Sequence, residues 1–335
     1  MLHTGRKVVF VSVITAIAIA VVFIISLNLG TIRISPAEVL QVITGSGSDQ
    51  NRTVLIHFRL PRMVIALLIG AGIAISGAIL QSVSRNPLAD PGILGINAGA
   101  GLSVVLYIFY FQGGALGSGW LSIYMMPFAA LLGAFAAALL IYTVAWKDGV
   151  TPVRLILSGI GVNAGFGAFI IVFQLMMDPN DFMKATIWLS GSIWGTSWPY
   201  VGAVLPWIVL LIPWVLYKSR YLNAMQLGDQ AAAGLGIRVE RERRVLLFIA
   251  VALAGACVSV GGGITFLGLI APHLARKLVG PRHQSYLPVS ALLGALLLLG
   301  ADMIGKMLMA NAEVPVGLVV ACLGAPYFIY LLIKD

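Results

Sequence analysis

Residues of the types that carry out catalysis are sparse in this sequence, and their spacing builds no active site. The histidines form no His-Glu-x-x-His pair, and the two cysteines lie in separate apolar runs. Protein zinc sites and the active sites of metalloproteases are built from closely spaced ligands of these types. The residues concerned are His3, His57, His273, His283, Cys257 and Cys322. The sequence therefore predicts no catalytic residue, no metal site and no disulfide framework.

One stretch, residues 300–307, nearly matches a nucleotide phosphate-binding loop. It reads Gly-Ala-Asp-Met-Ile-Gly-Lys-Met, so Met307 stands where the motif requires a Ser or Thr to hold magnesium. The stretch also ends a long apolar run, and no strand-like segment precedes it. No other part of the sequence fits the motif. We therefore expect this chain to bind no ATP, magnesium or other cofactor of its own.

Ionisable residues that could couple transport to a proton or sodium gradient are missing from the middle of the apolar runs. Such transporters keep an ionisable group near the bilayer midplane, because its change of charge drives the cycle. Asp302 comes nearest to such a position, about one turn from the end of its run. The polar residues inside the runs are neutral: Gln81, Asn97, Ser158, Asn163 and Gln174. This pattern predicts either a transporter that takes its energy from a partner or a channel.

Three basic residues stand out because they lie at the ends of apolar runs. Arg59 and Arg62 flank Leu60-Pro61 at the start of the second run, where each cation opposes the helix dipole by about 0.3–1 kcal/mol. Two interpretations stay open: both side chains reach lipid headgroups, or they bind an acidic patch on an external protein. Lys306 follows Asp302 by four residues. It either forms a local ion pair with Asp302 or belongs to the same docking surface.

The longest polar connection on the predicted inner side, residues 218–243, contains a segment of small residues. The sequence Leu-Gly-Asp-Gln-Ala-Ala-Ala-Gly-Leu-Gly at 227–236 predicts a short helix around Ala231–Ala233, closed by Gly234 or Gly236. A helix with so little side-chain bulk can fit a groove on another protein. The alternative is a solvated amphipathic hinge whose arginines face lipid headgroups.

All of these residues lie within or between long apolar runs. Hydrophobic residues make up 60% of the chain and charged residues only 10%. Soluble domains average roughly 45–50% and 25%. Runs of about 18 or more apolar residues recur along the chain, which predicts an all-α polytopic membrane protein. We expect ten helices, at 8–28, 62–82, 92–111, 123–145, 152–176, 199–217, 244–261, 264–279, 286–305 and 315–333. They form one integral domain over 1–335, with an outer connection at 29–61.

The chain has a net charge of +9, and the excess of basic residues falls on one predicted side of the membrane. With the N-terminus inside, 15 of the 21 Lys and Arg residues fall on the inner face, whereas the acidic residues divide equally. An excess of Lys and Arg on the inner side is the usual orientation signal of membrane proteins. It places both termini in the cytoplasm. Because this signal explains the whole excess charge, we expect no nucleic-acid partner.

Several motifs in a fixed order resemble the FecCD family, the permease subunits of ABC importers for iron-siderophores, haem and vitamin B12. The resemblance covers residues 54–335. Any one of the motifs alone is a weak signal, but the whole set in this order is specific for the family. The motifs are Arg59-Leu-Pro-Arg62, Ser76-Gly77 with Gln81, Arg85-Asn-Pro-Leu-Ala-Asp-Pro91, Gly95 to Gly101, Leu227-Gly228 with Leu235-Gly236, Phe266-Leu-Gly-Leu-Ile-Ala-Pro-His-Leu-Ala-Arg276, and Val314-Pro-Val-Gly317 with Leu323-Gly-Ala-Pro326. Residues 85–101 are also expected to form an inner turn between the second and third helices.

The resemblance implies a ten-helix permease of a prokaryotic plasma membrane, with three kinds of partner. These are a second permease subunit, identical or paralogous; cytoplasmic ABC ATPases that use ATP and magnesium; and an extracytoplasmic substrate-binding protein. Arg59, Arg62 and Lys306 match positions that face acidic residues of the binding protein. The ATPase-coupling positions are Leu227, Gly228, Ala231, Ala232, Gly234, Leu235 and Gly236. Asn97, Asn163 and Gln174 are candidates for the lining of the pathway.

The resemblance also implies a mechanism of alternating access. ATP-driven movement of the coupling helix switches the pore between outward and inward openings. No bond in the substrate is made or broken, so we do not expect an enzyme. Ferric siderophores are the expected substrate, and cobalamin or haem is the alternative within this class. A channel or secondary transporter that works alone is the alternative from another class.

Overall fold

The computed structural model describes residues 2–30, 34–92, 95–111, 122–147, 149–308 and 314–334. Regular structure in these ranges is helical, apart from one isolated antiparallel bridge between Trp146 and Val150. A π-helical turn, Val54–Arg59, joins α3 to α4. The helices are α1 (Leu2–Asn28), α2 (Pro36–Ile43), α3 (Asp49–Thr53), α4 (Leu60–Ser84), α5 (Ile96–Phe111), α6 (Ser122–Ala145), α7 (Pro152–Leu175), α8 (Pro179–Leu189), α9 (Trp198–Gln226), α10 (Asp229–Gly234), α11 (Val239–Gly261), α12 (Leu267–Val279), α13 (His283–Leu308) and α14 (Val316–Lys334).

Ten of these helices coincide with the ten that the apolar runs predict, which confirms the all-α polytopic architecture. They are α1, α4, α5, α6, α7, α9, α11, α12, α13 and α14. Among the described residues, seven helices are long and apolar enough to cross a membrane, and α5 and α14 are shorter apolar helices. Helix α12 has only 13 residues. The predicted ends differ most for α9, which continues to Gln226 instead of ending at residue 217.

Helix α4 lies at the centre of the bundle, with 19 of its 25 residues buried. It packs against α9, α11, α12 and α13. Glycines permit two of these contacts: a Cβ atom on Gly70 would overlap the backbone of Gly294 in α13, and one on Gly77 would overlap Gly268 in α12. Small residues at helix crossings allow such close approach in membranes, where apolar burial contributes little to helix association.

Helix α12 is short because a non-helical break separates it from α11. The sequence predicts a start at residue 264, but α12 starts at Leu267, after a non-helical segment. Gly262 has a φ of +68°, and a Cβ atom there would overlap the carbonyl oxygen of Trp188. Only glycine combines this backbone conformation with so close an approach. Gly262 therefore ends α11 and displaces the start of the next helix.

Short helices occupy the connections between the long ones. At the start of helix α2, the Ser35 hydroxyl accepts from the Glu38 N–H at 3.3 Å, and the Glu38 carboxylate accepts from the Ser35 N–H at 2.7 Å. This reciprocal arrangement is a capping box. The sequence does not predict α8, whose 11 residues mix apolar and polar side chains. Its N-terminus is capped by Asp178, which accepts from two backbone N–H groups at 2.9 and 3.0 Å.

Helix α7 buries little of its surface against the rest of the described chain. Only three of its 24 residues are buried. A Cβ atom on Gly161 or Gly165 would meet nothing within 4 Å, so within one chain these glycines do not serve close helix packing.

The two cysteines are free: Cys257 is buried in α11, and Cys322 is exposed on α14.

Candidate docking and coupling surfaces

At the start of α4, Arg62 shares a buried carboxylate with Lys306. Arg62 Nε and Nη2 donate to Oδ1 of Asp302 at 2.8 and 2.7 Å, and Lys306 Nζ lies 2.7 Å from Oδ2. Asp302 is 1% exposed. The structure thus contains the local Asp302–Lys306 pair that was one of the two predicted possibilities. It adds Arg62, which the sequence does not connect to the pair.

Arg59 lies one turn before Arg62, in the π-helical turn, and is buried. Its Nη1 donates to the carbonyl oxygen of Leu27 at the end of α1. Its Nη2 lies 2.9 Å from the position that a Cβ atom on Gly30 would take, so Gly30 leaves room for the guanidinium. The structure therefore brings the three predicted docking cations to the same end of α4.

These four residues, Arg59, Arg62, Asp302 and Lys306, are called the outer cluster below. Among the described residues it contains three cations and one carboxylate. The side chains of Arg62 and Lys306 are only 12% and 9% exposed, and burying such charges without a counter-ion costs several kcal/mol per ion. Asp302 offsets part of this cost.

At the other end of the bundle, α9 leads into the short helix α10, which forms where the sequence predicts it. Gly228 before the helix has a φ of +111° and Gly236 after it has +79°, conformations that favour glycine. Leu227 and Leu235 flank the helix and are 69% and 65% exposed. Ala232, within the helix, is buried. The exposed small residues between the two leucines are Ala231, Ala233 and Gly234. Together these residues form a small apolar surface.

Two arginines fix α10 to its neighbours through Asp229, the first residue of the helix. Arg243 of α11 donates to both Asp229 oxygens, at 2.8 and 2.9 Å. Arg85, directly after α4, also pairs with Asp229, and its Nε donates to the carbonyl oxygen of Met225 at 3.2 Å. Arg85 has a left-handed φ of 50°, which directs the chain away from α4. No sequence pattern pairs residues so far apart, and the sequence does not predict these contacts.

Arg243 extends this network to the loop before α7. Its Nη1 donates to the carbonyl oxygen of Val150 at 3.1 Å, and it pairs with Glu240 at 3.3 Å. The Glu240 carboxylate in turn accepts from the Val150 N–H at 3.1 Å. The inner network, defined as Arg85, Val150, Asp229, Glu240 and Arg243, therefore connects α10 with α4, α11 and the chain just before α7.

The turn between α4 and α5, where the sequence predicts it, buries another carboxylate. Asp90 Oδ2 accepts from the Gly92 N–H at 2.9 Å, while Oδ1 has no hydrogen-bond partner among the described residues. Oδ1 lies against Gly268 near the start of α12. Burial raises the pKa of Asp90 to about 6, and the Gly92 N–H partly offsets this rise. The connection between α4 and α5 is therefore a tight turn that encloses the poorly solvated carboxyl group of Asp90.

The three residues predicted to line the pathway lie in different surroundings. Asn163 is exposed on α7. Asn97 is half-buried near the start of α5, where its amide donates to the carbonyl oxygen of Ile264 at 3.5 Å. Gln174 donates to the hydroxyl of Thr186 in α8 at 3.3 Å. Their contribution to transport stays a prediction.

Proteins of similar sequence are transport permeases. Residues 17–334 match the FecCD transport family. The chain is 60% identical to the Bacillus subtilis iron(3+)-hydroxamate import system permease protein FhuG, over 98% of both chains. It is 44% identical to the B. subtilis iron-uptake system permease protein FeuC, over 95% of both. Its identity to the hemin transport system permease protein HmuU of Yersinia pestis is 38%, over 92% of this chain and 91% of that one.

The fold is shared with a solved structure. A transporter assigned to the metal-chelate type of ABC transporter, solved in an inward-facing conformation, superposes with a TM-score of 0.85. The two sequences are 30% identical, and the match covers 97% of this chain and 99% of the other. Sequence and fold thus agree over nearly the whole length. The chain belongs to the FecCD transport family.

Proposed function

We propose that this chain is the membrane permease of an ATP-binding cassette importer that carries ferric hydroxamate siderophores into the cell. The observation that carries the proposal is the 60% identity, over 98% of both chains, to a permease named for iron(3+)-hydroxamate import. The relative named for hemin transport is only 38% identical. Haem is therefore the weaker candidate substrate.

The orientation we propose has both termini in the cytoplasm of a prokaryotic cell. The bias of Lys and Arg supports it, since 15 of the 21 fall on the side that then faces inward. In this orientation α10 and the inner network face the cytoplasm, and the outer cluster faces the binding protein. Docking of that protein at Arg59, Arg62 and Lys306 is proposed because the structure brings these three basic side chains together at the start of α4.

The cytoplasmic ATPase is proposed to bind α10. Leu227 and Leu235 give this helix an exposed apolar surface, and Asp229 fixes it to α4 and α11. A push on α10 by the ATPase would act on both helices through these ion pairs. This transmission supports alternating access, in which the two halves of the pathway open in turn.

A second permease subunit is proposed to cover α7. Its exposed glycines, Gly161 and Gly165, leave room for a helix of another chain. A pathway between two subunits would also place Asn163 near its lining, because this residue is exposed on the same helix.

Reconstitution in liposomes tests the proposed function. The permease is combined with its ATPase and binding protein, and uptake of ferric hydroxamate, haem and cobalamin is measured with and without ATP. We expect ATP-dependent uptake of the ferric hydroxamate alone. Uptake of haem or cobalamin instead would overturn the proposed substrate. Uptake without ATP, ATPase and binding protein would identify a channel or secondary transporter.

Docking at the outer cluster has its own test. The Arg59→Gln and Arg62→Gln double variant is expected to bind the external protein at least tenfold more weakly at low salt, since each charge-assisted hydrogen bond contributes about 1.5–3 kcal/mol. Association with the ATPase should be unchanged. Unchanged docking at low salt would instead support arginines that anchor the chain to lipid headgroups.

A further inference from the structure

An apolar groove of about 490 Å³ opens between α6 and α11. This volume lies in the range of sites that bind small molecules, roughly 300–1,000 Å³. Its lining is apolar except for one arginine and one tyrosine. The residues that matter most are Phe135, Leu139 and Tyr142 from α6, and Arg244, Phe248 and Val251 from α11.

The groove follows the direction of the two helices. On each wall the lining residues recur about once per helical turn, from Phe135 to Tyr142 and from Arg244 to Val251. Each wall thus spans eight residues, which corresponds to about 10 Å along a helix axis. Leu139 and Phe248, on opposite walls, are 64% and 55% exposed, so the groove is open along the outside of the bundle. An elongated apolar groove that opens toward the bilayer suits a hydrocarbon chain.

One end of the groove carries a positive charge. Arg244 is exposed, and its Nε reaches the carbonyl oxygen of Glu240 at 3.4 Å. The preceding residue, Arg243, is neutralised by Asp229 and Glu240. In the described part of the chain no carboxylate forms such a pair with Arg244. The charge of Arg244 is therefore available to an anionic ligand.

Aromatic residues place this charged end at the surface of the membrane. The rings of Tyr142 and Trp146 lie 5.5 Å apart at the end of α6, and Trp146 is half-exposed. Tyr and Trp are enriched where the bilayer meets water. Basic pockets between helices at the cytoplasmic interface are known to bind anionic lipid headgroups. The other end of the groove, at Phe135 and Val251, lies deeper along the same helices.

We propose that this groove binds an anionic phospholipid, with one acyl chain between α6 and α11 and the headgroup phosphate on Arg244. The lipid comes from the leaflet that faces the ATPase, and this one detail rests on the orientation proposed above. A lipid with a positive headgroup moiety is disfavoured there, because the inner face already carries the excess of Lys and Arg.

Native mass spectrometry of the delipidated permease in detergent tests the headgroup contact. Phosphatidylglycerol and phosphatidylcholine with identical acyl chains are the probes. We expect phosphatidylglycerol to bind about tenfold more tightly, and Arg244→Gln to abolish this difference. Arg220→Gln, which removes an exposed arginine at the cytoplasmic end of α9, should leave it intact. Equal binding of the two lipids, or no effect of Arg244→Gln, would overturn the proposal.

A second pair of variants tests the acyl-chain site. Ala138 lines the groove, so Ala138→Phe fills it, whereas Ala136→Phe adds the same ring on an exposed face of α6 outside the groove. With phosphatidylglycerol that carries a photoreactive acyl chain, crosslinks should map to α6 and α11 and be lost in Ala138→Phe alone. Crosslinks spread evenly over α1 and α7 would contradict the site. These assays need no substrate, ATPase or binding protein, so they stand apart from the uptake assay.

Discussion

At the scale of single residues, Asp302 holds together the basic side chains at the end of the bundle where α4 begins. It is almost fully buried and binds a guanidinium with one oxygen and an ammonium with the other. In the proposed docking, an acidic residue of the binding protein would meet Arg62 and Lys306 already held in place. Docking can proceed without the entropy cost of ordering two long side chains, which is otherwise about 1.5–2 kcal/mol for each.

Replacing Asp302 by Asn removes the charge that Arg62 and Lys306 share. Loss of one partner from a buried ion pair costs about 3–5 kcal/mol, so we expect the melting temperature of the purified chain in detergent to fall by several degrees. Asp181→Asn is the matched control, because Asp181 pairs with Lys184 at the surface and should have little effect. Equal melting temperatures for the wild type and Asp302→Asn would show that the pair does not stabilise the bundle.

Asp90 makes stability depend on pH. Burial raises its pKa from 3.8 to about 6, so the folded chain favours the protonated acid. The contribution of this group to stability is complete below pH 3.8, decreases as pH rises through 6, and is lost above it, a difference of about 3 kcal/mol. Asp90→Asn should melt at a higher temperature than the wild type at pH 7.5, and this difference should shrink as the pH is lowered toward 3.8. A difference that does not change with pH would contradict the buried acid.

Contacts at this scale divide into those that the sequence predicts and those that it cannot. The Asp302–Lys306 pair follows from one helical turn of spacing. Arg62 joins it from 240 residues away, and Arg85 meets Asp229 across 144 residues. Such contacts depend on how the helices pack, which no local pattern encodes. Helical periodicity predicts only neighbours on the same face of one helix.

At the scale of elements, hydropathy predicts the helices well and their ends poorly. The part of α9 beyond residue 217 contains Lys218 and Arg220, which end the apolar run but not the helix. Helix α8 lies outside every apolar run, and its signal is the cap at Asp178 together with Pro179. The break at Gly262 is set by contact with another element, so the sequence alone places the start of α12 too early.

The crossing of α4 and α12 depends on Gly77. In Gly77→Ala the new Cβ atom overlaps the carbonyl of Gly268, and the backbones must separate. Overpacking of this kind costs about 1–3 kcal/mol, so we expect a lower melting temperature of the single subunit in detergent. Gly161→Ala is the control, since its Cβ atom meets nothing within 4 Å. If both variants melt like the wild type, the crossing is not as close as described.

At the scale of the whole molecule, the two proposed partner surfaces are joined by the most buried helix. Arg62 lies in the first turn of α4, and Arg85 directly follows its last residue. Their separation of 23 positions in the sequence corresponds to about 35 Å of helix. A buried, central helix thus extends from the outer cluster to the inner network. Movement of α10 and occupancy of the outer cluster are expected to influence each other through it.

Binding of the ATPase to α10 can be tested without disturbing the fold. Leu227→Ser and Leu235→Ser remove side chains that are mostly exposed, so the melting temperature should not change. Co-purification with the ATPase should decrease, by about tenfold in affinity if both side chains are buried in the complex. Leu40→Ser, which alters a leucine of α2 that is 62% exposed, is the control. Full co-purification of the double variant would place the ATPase elsewhere.

The accessibility of the two cysteines offers a direct way to identify the assembly. Because Cys257 is buried and Cys322 is exposed, a thiol-reactive spin label added to the unaltered chain should attach to α14 alone. In an importer with two identical permeases, pulsed dipolar spectroscopy would then report a distance between two labels. With a paralogous partner that has no exposed thiol, the same preparation would give no dipolar signal. The native chain thus carries its own probe of subunit composition.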